Sequence, residues 1–170
     1  MAKKNEAHDL VVENLSEALL QLMKKKPLID INVTELCKRA GVSRISFYRN
    51  YNSMNDILAV QLAQCTDEWW GDLSKKTEDE FYLTFWTELL DLYRKNNDLI
   101  RLIYENNVSH ILKEHIFSCC AIVASPNESD AYNRAALAGA IFGLVDEWIR
   151  RGMGVFPNDF SLQNLTFTMP

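Results

Sequence analysis

The sequence predicts an all-α protein: a three-helix unit of the helix-turn-helix kind over residues 1–53, then an all-helical part over residues 54–170 suited to ligand binding and dimerisation. Three observations carry this prediction. Apolar residues recur at helical spacing almost throughout, with little period-two alternation. Residues Val33 to Tyr51, VTELCKRAGVSRISFYRNY, read as two short helices joined by a tight glycine turn. Near the end, Ala135 to Val145, AALAGAIFGLV, is a run of eleven apolar residues inside a long helix.

The elements follow in order. Val11, Leu15, Ala18, Leu19 and Leu22 place an amphipathic first helix over about residues 7–25, ended by Lys24 to Lys26 and Pro27. Asn32 is an N-cap with Glu35 as its capping-box partner, and Val33, Leu36, Cys37 and Ala40 give the second helix a buried face. Gly41 supplies positive φ, Val42 fills the angle between the two helices, and Ser43 caps the third. Asn52 or Ser53 caps a fourth helix to about Trp70, with Ile57, Leu58, Gln61, Leu62 and Cys65 inward. Further helices are expected over 78–95, 98–106 and 109–123. SPNESD, from Ser125, is a loop, and the last helix runs over about 129–151 to Gly152 and Gly154.

On the third helix the polar residues stand where a helix in a DNA major groove needs them. Arg44 and Ser46 lie in the first turn, where recognition helices touch base edges, and Tyr48, Arg49 and Asn50 follow one turn later. Phe47 and Tyr51, four apart, face inward and hold the helix to its domain.

From about Leu10 to Leu58, the long first helix, the AGVS turn and the FYRNY stretch resemble the DNA-binding domain of the TetR family of bacterial transcriptional regulators. The likeness covers roughly the first third of the chain. It implies a homodimer with one helix-turn-helix per subunit and a helical C-terminal domain that binds an inducer or a partner. It implies base or phosphate contacts for Thr34, Arg44, Ile45, Ser46, Tyr48, Arg49 and Asn50, and packing roles for Val33, Leu36, Ala40, Val42 and Phe47. One position departs from the pattern. The family usually carries a phosphate-contacting lysine where Met54 stands, and its loss weakens binding to all sequences alike.

Charge supports the same orientation independently. Residues 1–52 hold 9 basic and 6 acidic side chains, leaving 9 basic and 17 acidic for the rest. A basic end on an acidic body turns only that end toward phosphates. Hydrophobic content of 48% is ample for a packed core. The start, MAKKNEAHDL, has no apolar signal region, and no stretch approaches a membrane span, so a cytoplasmic protein without membrane association is expected. Cys37, Cys65, Cys119 and Cys120 lack zinc-site spacing and are expected as reduced structural thiols, with oxidant sensing by Cys119 and Cys120 as the alternative. His110 and His115 are five apart, not the four that place two ligands on one metal, so no metal or other cofactor is expected. No nucleophile elbow, phosphate loop or HExxH is present, and a non-enzyme is expected.

The apolar run in the last helix leaves no polar side, so one face packs on its own core and the other needs a second subunit. Ala136, Gly139 and Gly143 share a face small enough for close helix approach, and a homodimer through them is expected. Full enclosure of this helix within its own subunit is the alternative. Two subunits then present recognition helices roughly 34–36 Å apart to a palindromic double-stranded operator. The middle of the chain is rich in aromatics, most of them core, and Trp86, Glu88, Tyr93, Tyr104, His110 and Trp148 are candidates for an apolar pocket with polar anchors. The function expected is a sequence-specific DNA-binding regulator, read as a repressor, released or modulated by a small apolar or amphipathic ligand. The alternative is a co-regulator whose C-terminal part is controlled by a protein partner.

Overall fold

A computed structural model describes residues 2–121 and 128–155, in which eight α-helices and no strand occur. They are α1 (Ala2–Met23), α2 (Val33–Ala40), α3 (Arg44–Asn50), α4 (Met54–Leu73), α5 (Glu78–Lys95), α6 (Asn97–Glu105), α7 (His110–Ala121) and α8 (Glu128–Arg150). The protein is all-α, and no helix among the described residues is long and apolar enough to cross a membrane.

Most of the expected ends hold to within two residues; α1 begins at Ala2, five residues before its expected start, and other departures have local causes. α1 stops at Met23 because Lys25 and Lys26 both donate backbone N–H groups to the Leu22 carbonyl, closing a turn before Pro27. A single 3-10 turn, Leu28–Asp30, follows, which the sequence did not announce. α4 passes through Gly71 to Leu73, whose burial offsets the roughly 1 kcal/mol helix penalty of a glycine. α8 begins at Glu128, so the SPNESD stretch yields its last three residues to the helix. Its start at Ser125, and the expected end of α7 at Val123, lie outside the described residues, as do the side chains of Phe81 and Tyr82.

Caps explain why α2 to α4 start where they do. Asn32 Oδ1 accepts from Glu35 N at 3.0 Å. The reciprocal half of the expected capping box is absent, because Lys26 Nζ takes the Glu35 carboxylate at 2.5 Å. Gly41 closes α2 at φ 67°, a conformation that costs other L-residues about 1–2 kcal/mol, and Val42 N then reaches back to the Cys37 carbonyl at 3.0 Å. Ser53 makes the full capping box with Asp56 at the head of α4.

One continuous apolar core runs from Leu15 to Ile149. α1, α2 and α3 close around Leu15, Leu19, Leu36 and Phe47, each with no exposed surface. α4 carries the core onward through Ile57, Leu58 and Leu62, packing on α1 at one side and on α5 and α7 at the other. α7 and α8 pair along their length. A second joint ties the segment after α1 to α6: Lys24 pairs with Asp98 at 2.5 Å, and Leu28 N donates to Asn106 Oδ1 at 2.6 Å.

Candidate nucleic-acid interface

α3 is short, and its rigidity comes from its surroundings. Ser43 Oγ accepts from Ser46 N at 3.0 Å and lies 2.9 Å from Ser46 Oγ. Asn50 Nδ2 donates to the Ser46 carbonyl at 2.7 Å. Beneath, the fully buried Phe47 ring packs edge-on to Tyr48 at 5.1 Å and tilted to Tyr51 at 6.1 Å. The first turn is thus capped from below and pinned from behind.

These bonds divide the seven residues expected at an interface. Thr34, Arg44, Ile45, Tyr48 and Arg49 are exposed, whereas Ser46 and Asn50 are half-buried and engaged with the helix's own atoms. Arg44 and Tyr48 stand one turn apart, with the guanidinium carbon 6.0 Å from the ring centroid. Ile45 is 73% exposed and Tyr48 54%, large apolar surface that the chain itself does not cover. Arg44 and Arg49 form no ion pair among the described residues, nor does Lys38, so this region presents uncommitted positive charge. Lys38 was not singled out from the sequence, although the signal was there: it follows Thr34 by four and continues the same face of α2. Met54 is half-buried, and its side chain packs against the core.

The six pocket candidates differ in burial and in their polar partners. Trp86 is half-buried in a row of rings, 5.3 Å from Phe85, which lies 5.8 Å from Trp69. Glu88 is paired with Lys76, which holds its carboxyl below the usual range and also donates to Thr84. Tyr93 is buried in the core, and burial pushes its ionisation up. Tyr104 donates to Asp146 at 2.6 Å under the Arg150 guanidinium. Trp148 is buried, donates from Nε1 to the Gly154 carbonyl at 2.8 Å, and lies beneath Arg94. His110 is exposed at the start of α7. Clefts of about 480 and 130 Å³ indent the surface at α1 and α2, around Gln21 and Arg39, and none of the six lines them.

Burial raises the ionisation of all four thiols, the direction of structural rather than reactive cysteines. His115 Nε2 lies 2.7 Å from Thr66 Oγ1, whose single hydrogen goes to the Leu62 carbonyl. The same Nε2 lies 3.6 Å from Cys119 Sγ, and burial pushes the imidazole toward its neutral form.

On α8 the expected two-sidedness is visible. Ile141, Val145, Trp148 and Ile149 are buried, while Tyr132, Ala136, Leu137, Gly139 and Gly143 are exposed. A Cβ built on Gly139 or Gly143 meets nothing within 4 Å. No family model matches this chain, and no curated protein matches it.

Proposed function

We propose that the chain is a sequence-specific DNA-binding transcriptional regulator, with α1 to α3 as a helix-turn-helix domain of the kind found in the TetR family. The observation that carries the reading is the outer surface of α3. Arg44, Ile45, Tyr48 and Arg49 are all turned outward on a short helix whose geometry is fixed by the Ser43 cap, the Gly41 turn and buried Phe47. An arginine in the first turn suits bidentate pairing with guanine, and Lys38 and Arg49 suit phosphates. The protein works as a homodimer paired through the exposed small-residue face of α8, presenting two such helices to a palindromic operator. Its C-terminal part receives the controlling signal, a small apolar or amphipathic molecule, and the joint at Asp98 and Asn106 supports mechanical connection to the DNA-binding end.

The test begins with selection of duplexes by the purified protein from a random pool. On the selected duplex, Arg44→Ala weakens binding by about 1–3 kcal/mol and relaxes preference at one base pair per half-site. On a scrambled duplex at the same salt it changes little. Equal losses on both duplexes reassign Arg44 to a phosphate, and failure to enrich any sequence overturns the proposed function.

A further inference from the structure

We propose that Ile45 reads thymine: its side chain seats against the 5-methyl group of a thymine in the major groove, beside the base read by Arg44. The inference rests on the DNA-binding reading above and adds the chemistry by which one base is chosen. Three observations converge on it.

Ile45 is an aliphatic side chain 73% exposed on a helix whose other apolar face, Phe47, is fully buried, so packing within the chain gives it no role. It cannot hydrogen-bond, and in the major groove thymine alone offers an apolar group at the base edge. Two polar side chains of α3 that could read other bases are engaged by the helix itself. Asn50, the residue type that pairs with adenine, donates to the Ser46 carbonyl at 2.7 Å, and the Ser46 hydroxyl lies 2.9 Å from that of Ser43. Lastly, Ile45 is β-branched and therefore stiff within a helix. Little side-chain freedom remains to be lost on contact. The free readers of the first turn are then one guanidinium and one aliphatic group, which together favour a half-site containing guanine next to thymine.

Deoxyuridine tests this directly, because it differs from thymidine only by that methyl group. Each thymine of the selected duplex is replaced singly, at both symmetry-related positions, and dissociation constants are measured at fixed salt with the full-length protein. At one thymine position the wild type weakens about fourfold per half-site, the effect of one buried methyl. Ile45→Ala binds the thymine duplex more weakly than wild type and is indifferent to the replacement, while Ile45→Val keeps part of the sensitivity. An exposed helical position accepts alanine without loss of fold, and a melting curve verifies it. The proposal is overturned if no replacement affects the wild type, or if Ile45→Ala remains as sensitive as wild type. Either outcome leaves sequence-selective binding intact. Failure to select any duplex removes the function and this inference together.

Discussion

Asp56 shows how much one side chain does at the junction after α3. Its carboxylate accepts from the backbone N–H groups of Asn52 at 2.8 Å and Ser53 at 3.1 Å, and from Ser53 Oγ at 2.7 Å. The hydrogen bond from the Ser53 hydroxyl, aided by these N–H groups, holds the carboxyl below the usual carboxylate range. A folded-state value below the unfolded one means that the ionised form stabilises the protein, fully above the ordinary value of about 3.9 and progressively less as pH falls through the folded value. Asp56→Asn is therefore expected to cost about 0.5–1 kcal/mol at neutral pH, with the gap to wild type narrowing below about pH 4. Urea unfolding at several pH values measures this, and a gap independent of pH would show that the charge contributes nothing.

At the scale of elements, α8 offers the sharpest test. Gly143 stands exposed in mid-helix with open space where a Cβ would go, and any other residue except proline suits the helix better there than glycine. Gly143→Trp is expected to convert the proposed dimer into a folded monomer, because a large group cannot enter a close helix contact. Light scattering reads the mass and far-UV circular dichroism the fold; an unchanged dimer would move the interface off this face. The elements themselves were largely legible from the sequence. Apolar spacing identified the buried positions Leu15, Leu36, Phe47 and Ile57, because a helix of fixed pitch leaves them no other side to face. Caps at Asn32 and Ser43 were legible because they are local chemistry, and the choice left open between Asn52 and Ser53 falls to Ser53. The Glu35 partnership was not, since Lys26 arrives from a turn that no periodicity describes. The surroundings of Tyr93 and Trp148 escaped for a different reason: an aromatic at helical spacing looks the same in sequence whether it fills a core or lines a pocket. On α3, residue types alone did not reveal that Ser46 and Asn50 are occupied by the helix itself.

Over the whole molecule, the joint between α6 and the segment after α1 has consequences out of proportion to its size. Asn106 accepts from Leu28 N and donates to the Leu102 carbonyl at 2.8 Å, fastening the last turn of α6 to the segment that leads into α2. Asn106→Ala leaves a partly buried N–H without its partner, at a cost of about 1 kcal/mol, which lowers the melting temperature of a chain this size by about 2–4 °C. Amide exchange at residues 28–31 is expected to accelerate while that of α8 is unchanged. Acceleration in both places, or in neither, would mean that this bond is not a local fastening.

The distribution of indoles gives the molecule a built-in reporter. All four tryptophans, Trp69, Trp70, Trp86 and Trp148, belong to α4, α5 and α8, and none belongs to the helices that would meet DNA. Trp148 is sealed beneath Arg94, whereas Trp70 is half open to solvent. Tryptophan emission, excited selectively over the tyrosines such as Tyr48, is therefore blind to direct quenching at the α3 surface. Any shift in that emission on adding an oligonucleotide has to be relayed through α4 or through the contacts of α1 and the segment after it with α6, so an ordinary cuvette titration separates binding alone from binding that is felt beyond the first three helices.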